Sequence, residues 1–164
     1  MALQLFKIAS VTVGSGGAST IAFSSIPQGY TDLKLIYSTR DGDTGGSAVY
    51  VTFNGLSTNR SMIILQGTGS ATSSGTDTVI YGRGTSGDRT ANTFSNGEIY
   101  IPNYTSSNYK SVSIDSVEEN NATAARTAFT AGLWSSTAAI TSITLTPSVS
   151  PFAQYSTATL YGIL

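Results

Sequence analysis

Carboxylates are the side chains of this sequence best suited to acid–base chemistry. A glycoside hydrolase needs two of them facing each other across a sugar, one acting as an acid and the other as a base or nucleophile. The spacing of the acids does not identify any two that face each other, and the adjacent Glu118 and Glu119 would point to opposite faces of a strand. We therefore predict that the protein is not an enzyme and has no catalytic residue. The nine acids are Asp32, Asp41, Asp43, Asp77, Asp88, Glu98, Asp115, Glu118 and Glu119.

Histidine and cysteine are both absent from the 164 residues. Their absence excludes Ser-His-Asp and Cys-His nucleophilic catalysis, disulfide bonds and the usual zinc sites. The segment Asp41-Gly-Asp43 is similar to the start of a calcium loop, but the later acidic ligand of such a loop is missing. We predict a turn there and no metal or cofactor, with a weak cation site at Asp41 and Asp43 as the open alternative.

Gly82, Gly84 and Gly87 form a literal G-x-G-x-x-G sequence. A dinucleotide-binding fingerprint also needs a helix that opens at the third glycine, whereas Asp88-Arg-Thr-Ala-Asn leads towards another strand. The pattern therefore predicts a turn.

The composition is neutral and rich in hydroxyl groups. Charged residues make up 10% of the chain, and the formal net charge is −1. The eight basic residues are scattered singly, which argues against a nucleic-acid partner because phosphate binding needs clustered Lys or Arg. Weak self-repulsion together with 40% hydrophobic residues favours association between copies. The N-terminal segment lacks the pattern of a signal peptide and no apolar run is long enough for a membrane span, so we expect synthesis in the cytoplasm and no membrane partner.

β-Branched and aromatic residues dominate the chain, and glycines interrupt it at short intervals. Period-two alternation, as at Leu33, Leu35 and Tyr37, predicts strands with one buried face. We predict an all-β fold, an antiparallel β-sandwich of jelly-roll type, as a single domain over residues 1–164. The predicted strands are 4–13, 19–23, 32–39, 48–53, 61–65, 78–81, 93–101, 110–117, 126–134, 141–146 and 157–163. Residues 40–47 and 66–77 are predicted to be exposed loops, and 122–128 is the one stretch where a helical turn is conceivable.

Tyrosines and arginines near predicted turns are candidates for contacts with a partner, because these two residue types contribute strongly to interface energetics. Subunit contact is the preferred interpretation, with carbohydrate stacking as the alternative. The candidates are Tyr30, Arg40, Arg60, Tyr104, Tyr109 and Tyr155.

Four segments of the chain resemble small virion proteins of tailed bacteriophages. They are the opening Leu5-Phe-Lys-Ile-Ala-Ser-Val-Thr-Val-Gly-Ser-Gly-Gly-Ala18, then Ile26-Pro-Gln-Gly-Tyr-Thr-Asp-Leu33, then Ile99-Tyr-Ile-Pro-Asn-Tyr104, and the terminal strand Ser156 to Ile163. The resemblance implies a jelly-roll capsid cement or decoration protein, or a tail-fibre or receptor-binding component, commonly as a homotrimer.

The length of the chain favours the cement role, because nothing in it is typical of a fibre shaft. We expect a homotrimer on the capsid surface of the virion, assembled in the host cytoplasm, with the major capsid protein as its partner. The alternative is a receptor-binding module for a host polysaccharide. The terminal strand is expected to pair within its own sheet or with a neighbouring subunit.

Overall fold

The computed structural model describes residues 4–120 and 125–164, and the regular structure within them is entirely β. The alternating apolar positions and the turn-forming Gly and Asn residues divide the chain into short strands. The strands are β1 (Leu5–Thr12), β2 (Ile21–Phe23), β3 (Asp32–Ser38), β4 (Ser47–Phe53), β5 (Arg60–Gly67), β6 (Thr72–Asp77), β7 (Tyr81–Gly84), β8 (Asn96–Ile101), β9 (Lys110–Glu118), β10 (Arg126–Trp134), β11 (Ile143–Pro147) and β12 (Thr157–Ile163).

Two sheets of unequal size face each other. The large sheet has eight strands in the order β1-β12-β3-β8-β9-β10-β5-β6, and the small sheet has four in the order β2-β11-β4-β7. Neighbouring strands in both sheets run antiparallel. The predicted all-β fold, an antiparallel β-sandwich, is confirmed. The jelly-roll arrangement in particular stays a prediction.

The core lies between the two sheets and follows the alternation of the sequence. Leu33 and Leu35 are fully buried from the large sheet, and Val49 and Val51 are fully buried from the small one. Trp134 is the largest buried side chain, and its ring lies 5.6 Å from that of Phe53 across the sandwich. The inward positions of each strand thus form one continuous apolar layer.

The terminal strand β12 lies inside the large sheet. It pairs with β1 on one side and with β3 on the other, with Leu160 opposite Ala9 and Leu35. Its backbone groups are therefore paired within the chain itself, which is the first of the two expected outcomes.

Two predicted loops differ from the structure. Residues 72–77 form β6, which pairs with β5 although all six of its side chains are exposed. Here the backbone pairing with β5 overrides the low strand propensity of Ser, Gly and Asp. In the 40–47 segment, Asp41 and Ser47 are buried, so the prediction of an exposed loop is wrong for them. The Ser47 hydroxyl donates a hydrogen bond to the Asp41 carboxylate, which offsets the cost of burying it.

Gly82 and Gly84 lie in β7, so the predicted turn is wrong for them, whereas Gly87 does lie in a turn. A side chain on Gly82 would collide with the Tyr37 hydroxyl and with Ile114 of the large sheet. Glycine is needed there because the two sheets approach each other closely. The predicted strand at 78–81 begins only at Tyr81. Residues 126–128 open β10, whereas 122–124, where the helical turn was considered, lie outside the described residues.

Candidate functional site

The loops that join the strands gather at the two opposite ends of the sandwich. At one end, Arg40 contacts Thr90, and Ala18 pairs with Phe152. At the other end, the Tyr104 hydroxyl donates a hydrogen bond to the carbonyl of Pro27. We call these the Arg40 end (residues 13–18, 39–46, 85–95 and 148–156) and the Tyr104 end (residues 26–31, 54–60, 102–109 and 135–142).

The predicted contact residues divide between these ends rather than forming one site. Arg40 and Tyr155 lie at the Arg40 end, and the other four lie at the Tyr104 end. Tyr104 is fully buried, and its hydroxyl donates a hydrogen bond to the Pro27 carbonyl. Its ring fills the core because the neighbouring strand β8 turns back directly after Ile101.

Arg40 is bonded within the chain. Its guanidinium donates to the carbonyls of Gly87 (2.9 Å), Arg89 (2.9 Å), Thr90 (2.9 Å) and Thr93 (3.1 Å). A planar guanidinium suits this task because its fixed fork of donors reaches several carbonyls at once. Arg40 therefore fastens the 85–95 loop to the end of β3.

Arg60 is bonded in a similar way at the other end. It donates to the carbonyls of Ser57 at 2.8 Å and Val51 at 3.2 Å, and burial lowers the pKa of its guanidinium. It ties the start of β5 to β4 across the sandwich.

Three predicted tyrosines reach the surface to different extents. Tyr30 is half-buried and stacks on Phe6 with ring centroids 5.9 Å apart. Tyr109 is 59% exposed and Tyr155 is 68% exposed. Tyr155 also has a φ of +73°, a left-handed conformation that tyrosine adopts rarely. Tyr109 and Tyr155 are thus the predicted contact residues most open to solvent, one at each end.

Most of the carboxylates hold local structure together. Asp32 accepts hydrogen bonds from the Tyr100 hydroxyl (2.5 Å) and the Asn103 amide (2.8 Å), and Asp77 accepts from the two amides that follow it. Glu118 is fully buried and bonded to Arg89 Nε at 3.0 Å, and burial raises the pKa of its carboxyl group. Burial likewise raises the pKa of Asp41.

Glu98 and Asp115 are directly opposite each other in register on β8 and β9. They line a shallow hollow of about 300 Å³ on the outer face of the large sheet, together with Ile36. Lys34 forms a salt bridge with Glu98 at 2.8 Å, so one partner of this pair is neutralised. The described residues contain no group of three potential metal ligands.

The outer face of the large sheet carries a feature that the sequence analysis missed. Ile63 and Leu65 of β5 are 60% and 58% exposed, and Phe129 of β10 is 54% exposed. Leu65 pairs with Phe129 and Ile63 pairs with Ala131, so the four side chains are contiguous. We call these four residues the apolar strip.

The sequence of β5 explains the strip. In the run Met62-Ile-Ile-Leu65, Met62 and Ile64 point into the core, which places Ile63 and Leu65 outside. An unbroken apolar run is typical of a strand buried on both faces, but residues 4–120 and 125–164 cover only the inner face of β5. This run was the available signal in the sequence of β5.

A helix long and apolar enough to cross a membrane does not occur among residues 4–120 and 125–164. Comparisons with protein-family models, with curated proteins and with solved structures give no match to this chain.

Proposed function

We propose that the protein is a structural component of a bacteriophage virion, a capsid cement or decoration protein that binds the outer shell as a homo-oligomer and stabilises contacts between major capsid subunits. The observation that supports the proposal is the exposed apolar strip of Ile63, Leu65, Phe129 and Ala131, a surface that favours association between copies of the protein. Contiguous exposed apolar side chains mark interaction surfaces in stable domains.

The exposed area of the strip determines how much free energy a partner gains by covering it. Ile63, Leu65 and Phe129 are each a little over half exposed. Complete burial of such a side chain contributes about 1.5–3 kcal/mol, so covering the remaining halves contributes roughly 3 kcal/mol per copy. A cement protein uses such surfaces many times over, because each contact stabilises the assembled particle by mass action.

The segments that resemble phage virion proteins contact one another. Asp32 receives hydrogen bonds from Tyr100 and Asn103, and Tyr104 bonds to Pro27. The opening and terminal segments pair with each other as β1 and β12. These residues form the framework of the sandwich, so the resemblance supports a shared architecture, and the contacts with a shell fall to other surfaces.

The alternative function is a receptor-binding module for a host polysaccharide. It is favoured by Tyr155, which is 68% exposed in a left-handed backbone conformation at the Arg40 end. Such conformations persist where the surrounding structure imposes them, and they cluster at binding sites. An exposed aromatic ring on a fixed loop can stack on a sugar.

The test is co-sedimentation of the purified protein with tail-free capsid shells. We expect saturable binding, and the bound shells should withstand heating better than bare shells. Tyr155→Ser and Tyr109→Ser are a matched pair, because both remove an exposed tyrosine from opposite ends. Loss of binding in one variant alone identifies the end that contacts the shell. Absence of binding to shells, combined with binding to host polysaccharide, would refute the cement role in favour of the alternative.

A further inference from the structure

We propose that the apolar strip is covered by the same strip of a second copy, the two outer sheet faces packing against each other around a two-fold axis parallel to the strands. This contact goes beyond the virion role, because it concerns the isolated protein and requires no shell. The cross-strand register of β9, β10, β5 and β6 supports this contact.

Several aligned rows of side chains cross β9, β10, β5 and β6 on the outer face, and the two central rows contain the apolar strip. One row is Asp115, Phe129, Leu65 and Ser74, and the next is Ser113, Ala131, Ile63 and Thr76. Each row has two apolar residues in the middle and polar residues at both sides. An apolar centre with a polar rim is the usual anatomy of a protein–protein interface.

A two-fold axis that runs between β5 and β10 makes these rows complementary to themselves. It places Phe129 of one copy on Leu65 of the other. It also places Ala131 on Ile63, so in this second pair a small residue faces a large one. It also places Asp115 over Ser74 of the other copy, whose hydroxyl can donate a hydrogen bond to the carboxylate. The two Asp115 carboxylates are thereby kept apart, so like charges do not meet.

The available area suits a small, reversible contact rather than a permanent one. Four strands spaced by about 4.8 Å span roughly 19 Å, and the eight residues of β5 span about 27 Å, giving a projected area of roughly 500 Å² per copy. Side-chain relief makes the accessible area larger than the projected one, and stable interfaces bury about 800 Å² per partner. The aligned packing of two sheet faces about 10 Å apart is also the arrangement found inside β-sandwiches.

The charges of this face point to a second copy rather than to an anionic partner. The two rows contain no Lys or Arg, and Asp115 is their one charged residue. The net charge of −1 also gives little repulsion between copies. A three-fold arrangement would set each strip against a different surface of its neighbour, and the pairing of Asp115 with Ser74 would be lost.

The test is sedimentation equilibrium of the wild-type protein over a range of concentrations, with Leu65→Lys as the disrupting variant. We expect a reversible dimer, whose dissociation constant rises by about tenfold or more in Leu65→Lys. Ile36→Lys is the matched control, because Ile36 lies on the same outer face but on β3, and it should dimerise like the wild type. Urea unfolding measured below the dissociation constant of the wild-type dimer should be unchanged in both variants, which will show that each is folded.

A charge exchange tests the two-fold register itself. Ser74→Asp should weaken the dimer by facing Asp115 of the other copy, and adding Asp115→Ser should restore it. Within one copy the two positions are three strands apart, about 14 Å, so the rescue reports a contact between copies.

A wild-type monomer at all concentrations would overturn the proposal, as would a dimer or trimer that Leu65→Lys leaves intact. A monomer that sediments with phosphatidylcholine vesicles and loses this binding in Leu65→Lys would assign the strip to a lipid surface and equally overturn it. Failure of shell binding, by contrast, would refute the cement role and leave the dimer unaffected.

Discussion

Replacing Gly97 by alanine tests how closely the two sheets are packed. A Cβ atom at Gly97 would overlap three atoms of the Tyr37 side chain, namely Cζ, Cε1 and Oη. Tyr37 is itself fixed, since its hydroxyl donates to the Arg83 carbonyl at 3.1 Å and Gly82 of β7 lies directly beyond it. The ring therefore has no room to retreat towards the small sheet.

The expected cost follows from this geometry. Carbon atoms in contact normally stay about 3.5–4.0 Å apart, so the Gly97→Ala methyl group forces either the sheets or the Tyr37 ring to move. Overpacking of this kind costs about 1–3 kcal/mol, and we expect the upper part of that range because both sides of Tyr37 are occupied. The assay is the free energy of unfolding from urea denaturation.

Two further variants test whether the overlap with Tyr37 causes the loss of stability in Gly97→Ala. Gly75→Ala is the matched control, a strand glycine with only the Ile64 methyl group near its Cβ position at 3.9 Å, and it should stay within about 0.5 kcal/mol of the wild type. Adding Tyr37→Leu to Gly97→Ala should restore stability relative to the sum of the single changes by more than about 1 kcal/mol. A Gly97→Ala protein as stable as the wild type, or strictly additive effects, would refute the close approach.

The other predictions concern charged side chains that are hydrogen-bonded within the chain. Arg40→Met should lower the free energy of unfolding by about 2 kcal/mol and increase hydrogen exchange around Thr90, because charge-assisted hydrogen bonds to the 85–95 loop are lost. Unchanged hydrogen exchange at Thr90 would contradict the conclusion that Arg40 holds this loop in place. Lys110→Met should also lower the free energy of unfolding by about 2 kcal/mol, measured by urea denaturation. Lys110 is buried, and its ammonium donates to four carbonyls, including that of Ala138 at 2.7 Å. A free energy of unfolding equal to that of the wild type would contradict this. Burial raises the pKa of the Glu118 carboxyl group, so the native state binds this proton more tightly than the unfolded state. The resulting stabilisation is lost as the pH rises through the raised pKa, so Glu118→Gln should gain stability relative to the wild type between acid and neutral pH. A difference in urea midpoints that stays constant or changes in the opposite direction would contradict this.

The architecture could be predicted from the sequence where burial is one-sided. Strands such as β3 and β9 alternate apolar and polar residues, and the structure buries the expected face of each. β6 could not be predicted, since its Thr-Ser-Ser-Gly-Thr-Asp sequence has no apolar face and becomes a strand only through pairing with β5. Burial of Asp41 was equally hidden, because it depends on Ser47, a residue whose position only the fold determines.

The candidate surfaces were less predictable than the fold. Residue type and nearness to turns selected Tyr104 and Arg40 as contacts, but these side chains serve the core and a loop. The apolar strip needs two strands, β5 and β10, to be adjacent and their outer faces to be left open. Sequence periodicity describes one strand at a time, so it could not predict this adjacency.

The most direct test of the proposed function is the copy number of this protein in purified particles, measured by quantitative mass spectrometry against the major capsid protein. The cement role predicts a number that scales with the subunits of the shell, and loss of the protein should leave particles that open more readily on heating. A handful of copies confined to the tail would contradict the account and support the receptor-binding alternative.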